Sequence, residues 1–143
     1  MTTVNDLLRD KPSDIWTVGP DDTVLDALKI MAEKNIGALL VMDSGRLIGL
    51  LSERDYARKV ALEGRASHDT PVRDVMTTRV AFVSSSKTVE DCLALMTDKR
   101  FRHLPVMEND KLVGLISIGD LVKAIIVDQQ FMIEQLEQYI SGQ

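Results

Sequence analysis

The chain has 143 residues, 45% hydrophobic and 27% charged, with 17 Lys+Arg against 22 Asp+Glu for a net charge of -5. That length suits one ordinary domain, and the acidic balance argues against nonspecific nucleic-acid binding, which needs a Lys/Arg excess on at least one face. The single cysteine, Cys92, excludes an internal disulfide and a metal-binding Cys cluster, no stretch reaches the roughly 20 apolar residues that span a bilayer, and the first residues carry no basic or apolar leader, so a cytoplasmic protein without membrane or nucleic-acid partners is expected.

In chain order, Trp16 to Val18 reads as a short lead-in strand. Thr23 to Lys34 sets Val24, Leu28 and Met31 at helical spacing, with Thr23 placed to cap the helix. The apolar runs Ala38 to Met42 and Leu47 to Leu51 flank Asp43-Ser44-Gly45 as a β-hairpin, and a second helix starts near Glu53. Leu62 to Pro71 is polar, with Gly64, Ser67 and Pro71, and reads as a surface connection. The same order then returns. Ala81 to Val83 is a lead-in strand, Thr88 caps a helix carrying Val89, Leu93 and Met96, and Leu104 to Met107 and Leu112 to Ile116 flank Glu108-Asn109-Asp110. A last helix starts near Ile118 and carries no Gly or Pro from Asp120 to Ser141. Along it Val122, Ile126, Gln129, Ile133, Leu136 and Ile140 alternate steps of four and three, the spacing of a coiled-coil seam. Such a seam suits either packing on its own domain or packing on a partner subunit.

The return is a duplication. Residues 18 to 60 lie on 83 to 125 at a constant offset of 65 without a gap, matching Met31 with Met96, Gly49 with Gly114, Ser52 with Ser117 and Asp55 with Asp120. Apolar matches at a fixed offset mean two copies of one folding unit. A unit of roughly 60 residues buries too little of its own surface, so the copies are expected to share one core.

The chemistry lies where strand meets helix, at Gly49-Leu50-Leu51-Ser52-Glu53-Arg54-Asp55 and Gly114-Leu115-Ile116-Ser117-Ile118-Gly119-Asp120. Ser-x-x-Asp is close to a capping box, whose cap stabilises a helix by ~1 kcal/mol. The same residues suit a nucleoside phosphate. The glycine leaves room over the strand, the helix N-terminus offers N–H groups to phosphate, and a carboxylate accepts both hydroxyls of a ribose. Both readings stand on the residues alone. Cys92 replaces Ala27 on an apolar helix side and reads as a buried small residue, and Met31, Met42, Met96 and Met107 read as core filling. His68 has no second ligand at metal spacing, Asp21-Asp22 reads as a solvated pair at a helix start, and no constellation supports catalysis.

The order of elements, the junction motif in both copies and Arg102-His103-Leu104-Pro105-Val106 resemble a tandem pair of CBS domains, the modules named after cystathionine β-synthase. The resemblance covers about residues 10 to 128 and is strongest to small stand-alone CBS pairs, which carry the string Glu53-Arg54-Asp55-Tyr56-Ala57-Arg58-Lys59. It implies an α/β fold of two pseudo-symmetric repeats, β-α-β-β-α each, packed sheet to sheet, with an extended C-terminal helix. The expected division is 1–72 for repeat one, 73–128 for repeat two and 129–143 for the extension. The resemblance also implies homodimers and adenosine ligands such as AMP, ATP, NAD or S-adenosylmethionine, with no catalytic cofactor and no metal. Carried over, Asp55 and Asp120 hold ribose hydroxyls, Ser52 and Ser117 lie beside ribose or phosphate, and backbone near Thr17, Gly37-Ala38 and Ala81 reads adenine.

The copies differ where charge matters. Glu53-Arg54 faces Ile118-Gly119 in the alignment, and Arg102-His103 faces Gly37-Ala38. Arg54, Arg58 and Arg102 are therefore the candidate phosphate ligands against the plainer reading of solvated arginines, and His103 either titrates near neutrality or neighbours the core. The leading expectation is a regulatory adenosine-ligand sensor with an unnamed protein target. The alternative is an interaction module with vestigial clefts, and an enzyme would need a base or metal that the sequence does not display.

Overall fold

The computed structural model describes residues 2–10 and 15–142. In chain order the elements are helix α1 (Val4–Asp10), strand β1 (Thr17–Val18), helix α2 (Val24–Lys34), strands β2 (Ala38–Asp43) and β3 (Arg46–Ser52), helix α3 (Glu53–Tyr56), helix α4 (Val89–Lys99), strands β4 (His103–Glu108) and β5 (Lys111–Ser117), and helix α5 (Ile118–Gly142). A π-helical stretch, Ala57–Ala61, and a 3-10 turn, Val72–Asp74, lie between α3 and α4. The fold is mixed α/β with two like repeats and a long C-terminal helix, as the pattern predicts.

The compact units are not consecutive halves of the chain. One is Ile15–Ala81, and the other combines the described residues of Met1–Asp14 with those of Phe82–Gln143. In the first unit the sheet runs β1-β2-β3, with β1 parallel to β2 and β2 antiparallel to β3. Val24, Ala27 and Met31 of α2 pack on Leu39, Val41 and Leu51 of the sheet, and Val60, Val72 and Val75 close the same core. Thr23 caps α2 through its side-chain oxygen, which accepts the Asp26 N–H at 3.1 Å. The π stretch is marked by i→i+5 bonds, Leu62 N–H to the Ala57 carbonyl and Arg65 N–H to the Val60 carbonyl, both at 3.0 Å. The connection after it is mostly exposed, yet Thr70 is buried and its carbonyl accepts the Val24 N–H at 2.8 Å. Asp21 is an ion-pair partner of Arg73 rather than a merely solvated carboxylate, and Asp22 accepts the Gly19 N–H at 2.8 Å.

The second unit repeats this plan with α4, β4 and β5, and Thr88 caps α4 with Asp91 completing a capping box. Its lead-in departs from expectation. Instead of a strand over Ala81 to Val83, only Val83 bridges to Val106, with Val83 N–H donating to the Pro105 carbonyl at 3.0 Å and Met107 N–H to the Val83 carbonyl at 2.9 Å. The matching position in copy one is Leu40, which pairs with Thr17. Pro105 has no N–H with which to extend the ladder.

Both hairpins turn through two residues at positive φ, Ser44 and Gly45 (51° and 79°) and Asn109 and Asp110 (50° and 63°), the signature of two-residue hairpin loops. Both also carry a bulge at the same place, between Val41 and Met42 and between Val106 and Met107. Cys92, Met31 and Met96 are buried, while Met42 and Met107 are half-buried.

Candidate functional site

Each Ser-x-x-Asp junction folds as a capping box. Ser52 accepts the Asp55 N–H at 3.2 Å while Asp55 accepts the Ser52 N–H at 3.0 Å. Ser117 and Asp120 repeat this at 3.2 Å and 2.8 Å. The capping reading is thus satisfied in both copies. It does not exhaust the carboxylates, because a capping aspartate uses only part of its acceptor capacity.

The glycines of the junctions have a different role from the one their spacing suggests. A Cβ at Gly49 would lie 2.7 Å from Met76 Sδ and 3.0 Å from the Thr77 carbonyl oxygen, and a Cβ at Gly114 would lie 2.5 Å from Leu8 Cδ2. The room over each strand is taken by a crossing segment of the same unit, so the glycines admit chain rather than ligand. Leu8 belongs to α1, and Met76 follows the 3-10 turn.

Around Asp55 the structure gathers Gly37, Ala38 and Ser52. Ala38 pairs with Ser52 across the hairpin, and the Gly37 carbonyl accepts the Glu53 N–H at 3.0 Å. Asp55 is 8% exposed. Its second oxygen accepts the Thr77 hydroxyl at 3.1 Å and meets the Lys59 ammonium at 3.1 Å. Lys59 and Thr77 carried no assigned role in the sequence reading, although Asp55 and Lys59 stand at i,i+4 spacing, a signal for pairing on a helix. Thr17 is exposed and lies at the β1 edge opposite Leu40, and Ala81 lies in coil. Arg54 and Arg58 are exposed on α3 and the π stretch.

Around Asp120 the structure gathers Arg102, His103 and Ser117 in the matching arrangement. His103 pairs with Ser117, and the Arg102 carbonyl accepts the Ile118 N–H at 2.9 Å. His103 is half-buried and Arg102 exposed. Among the described residues, Arg54, Arg58 and Arg102 form no ion pair. Asp120 also lines a cavity of about 560 Å³ with Thr2, Asp6, Asp10, Lys123 and Asp128, inside the second unit. Thr2 and Asp128 close one side, with the Thr2 hydroxyl 2.8 and 2.9 Å from the two Asp128 oxygens. The sequence reading missed this wall because α1 lies far from α5 in the chain.

Two like α/β repeats, each following its hairpin with a buried or half-buried Ser-x-x-Asp box, define a tandem-repeat α/β module. The CBS domain family matches residues 4–62 and 72–127, and the chain belongs to that family. It is 38% identical over 151 residues to the CBS domain-containing protein CBSX3, mitochondrial, of Arabidopsis thaliana, covering 99% of this chain and 73% of that protein. A solved protein with CBS domains from Burkholderia ambifaria MC40-6 is 53% identical with a TM-score of 0.87, over 90% of this chain and 96% of that one. The CBS-domain containing protein ATU1752 from Agrobacterium tumefaciens is 43% identical with a TM-score of 0.82, over 86% of this chain and 98% of that one. CBS pairs are regulatory modules that often bind adenosine ligands. Among the described residues, no helix is long and apolar enough to cross a membrane.

Proposed function

We propose that this chain is a regulatory sensor that binds an adenosine ligand of the AMP, ATP or NAD type and transmits the binding through its conformation or assembly. The observation that carries the reading is the Asp120 junction, where a carboxylate at a helix start lines a cavity of about 560 Å³. A carboxylate so placed can accept the two hydroxyls of a ribose. Arg54, Arg58 and Arg102 are exposed cations beside the junctions, and guanidinium groups present paired donors to phosphate oxygens. Ligand binding shifts such a module only by its difference in affinity for two arrangements, so the output is a coupling free energy rather than a reaction.

The assembly we propose is a homodimer through α5. Val122, Ile126, Ile133, Leu136 and Ile140 are 44% to 74% exposed in the single chain, whereas Leu121 and Ala124 of the same helix are buried. The seam therefore faces away from the helix's own core, with Ile at one heptad position and Val, Gln129 and Leu at the other.

The test is thermal unfolding with AMP, ATP, NAD and S-adenosylmethionine in turn. A ligand at 100 times its Kd adds ~2.7 kcal/mol, a shift of several degrees for a chain of this size. No shift with any of the four refutes the sensor and leaves an interaction module whose junctions serve as caps.

A further inference from the structure

The exposed seam of α5 has two flanks of opposite character. Counted in heptads, Ile126, Ile133 and Ile140 hold the a positions and Val122, Gln129 and Leu136 the d positions. The g positions on one side are Ile125, Met132 and Tyr139, apolar or aromatic throughout, while the e positions on the other side are Lys123, Gln130 and Glu137, polar throughout. Leu121 and Ala124 anchor the start of the helix in its own unit, and every described side chain from Gln129 onward is exposed. Among the described residues, neither Lys123 nor Glu137 forms an ion pair.

Two copies of such a helix can pair in either direction, and the core layers do not choose between them. Parallel helices stack Ile on Ile and Gln129 on the partner's Gln129. Antiparallel helices set Val122 against the partner's Ile140, Ile126 against the partner's Leu136 and Gln129 against the partner's Ile133. The flanks do choose. In a parallel pair each g position meets an e position, so Ile125 faces the partner's Gln130, Met132 faces the partner's Glu137, and both seams set apolar against polar. In an antiparallel pair e meets e and g meets g. Lys123 then faces the partner's Glu137, twice by symmetry, while Ile125 faces the partner's Tyr139 and widens the apolar core on the opposite flank. The same register lays the exposed half of each helix along the anchored half of its partner. Resting on the α5 homodimer proposed above, we infer that the two helices run antiparallel, with Lys123 paired to Glu137 of the partner subunit. Lys123 is exposed and lines the cavity of about 560 Å³, so the partner adds a carboxylate at the rim of that cavity.

The experiment is cross-linking of the full chain with a short bis-maleimide, with the mass read by light scattering. Cys92 is buried, so wild type is the unreactive control. In the antiparallel pair the two copies of position 122 lie about 27 Å apart, the helix rise from Val122 to Ile140 at ~1.5 Å per residue, beyond the reach of the reagent. Val122→Cys alone and Ile140→Cys alone are therefore expected to stay uncross-linked, and the two variants co-expressed to give a cross-linked dimer. Self cross-linking of either single variant overturns the antiparallel inference and leaves the α5 homodimer in place. A dimer mass without any cross-link, or a monomer mass, removes the α5 homodimer and this inference with it. The dimer dissociation constant gives a second reading. Lys123→Glu, which sets a carboxylate beside the partner's Glu137, is expected to raise it about fivefold, and Lys123→Glu with Glu137→Lys to restore it. A double variant no tighter than the single one overturns the antiparallel pairing.

Discussion

At Gly49 and Gly114 a missing methyl group lets another segment of the unit cross the strand. The cost of adding it back differs between them, because Gly49 faces both the Met76 thioether and the Thr77 backbone carbonyl, while the three atoms nearest to a Cβ at Gly114 all belong to the flexible end of Leu8. Overpacking costs about 1–3 kcal/mol, so Gly49→Ala is expected near the top of that range and Gly114→Ala near the bottom. Urea denaturation of the two variants measures the order, and a larger loss at Gly114 would contradict it. Thr77→Val removes a donor from a carboxylate that is 8% exposed, and is expected to cost about 1–3 kcal/mol with or without ligand. Three surface carboxylates contribute to the acid limb of stability. The Thr3 N–H holds Asp6 low, the Thr88 hydroxyl holds Asp91 low, and the Ser85 hydroxyl at 2.6 Å holds Glu108 low. Each folded value lies below the unfolded one, so their stabilisation is full above the unfolded carboxylate range and fades as pH falls through the folded values, below about pH 4. Ser85→Ala is expected to flatten that limb in a pH series of melting temperatures and to leave the neutral branch with the same slope.

Helix α5 carries its apolar seam beyond the last buried residue of its own unit, since every described side chain from Gln129 onward is exposed. Ile133→Glu with Leu136→Glu puts charges at two seam positions that touch no core. If the proposed α5 homodimer forms, the pair is expected to convert it to a monomer in light scattering while the melting of a dilute sample changes little. An unchanged mass would refute the α5 interface. The seam, the four caps and both hairpins were legible in the sequence because each rests on short-range spacing: apolar steps of three and four, a hydroxyl three residues before an acid, turn residues between apolar runs. What was not legible depended on distant chain. The strand at Ala81 to Val83 was overread because its loss depends on Pro105, more than twenty residues later. Helix α1 was overlooked although Thr3 and Asp6 cap it in the same way as the other boxes. Its counterpart Val72-Arg73-Asp74-Val75-Met76 lies 68 residues from Val4-Asn5-Asp6-Leu7-Leu8, so a search at the constant offset of 65 passes over the match. The candidate site was legible to the same degree: its serines and aspartates follow from local spacing, while Lys59's bond to Val75 and the α1 wall of the cavity do not.

On the scale of the whole molecule, the sequence order of the repeats and the order of the compact units disagree at their first element. The family's first repeat begins at Val4, yet α1 lies in the unit that contains α4, β4 and β5. Val4 is fully buried there, its N–H donates to the Lys87 carbonyl at 2.8 Å, and the Val89 N–H donates to the Thr2 carbonyl at 3.0 Å. The first unit receives its equivalent element from Val72–Asp74, where the Val72 N–H donates to the Asp22 carbonyl at 2.8 Å. Each unit is thus completed by the segment that precedes the other repeat in the chain. Deleting residues 2–10 strips Val4 and Leu8 from the second unit, opens the face of Gly114, and removes the Thr2 wall of the cavity at Asp120. Amide exchange of the truncated chain is expected to lose protection first in β4, β5 and α4, because local opening follows the elements that lose buried contacts and hydrogen bonds. Protection in β2 and β3, whose core is closed by Val72 and Val75, is expected to outlast it. Loss that falls first on β2 and β3 would mean that α1 serves the repeat it precedes in sequence, and would overturn the exchanged pairing on which the wall of the Asp120 cavity depends.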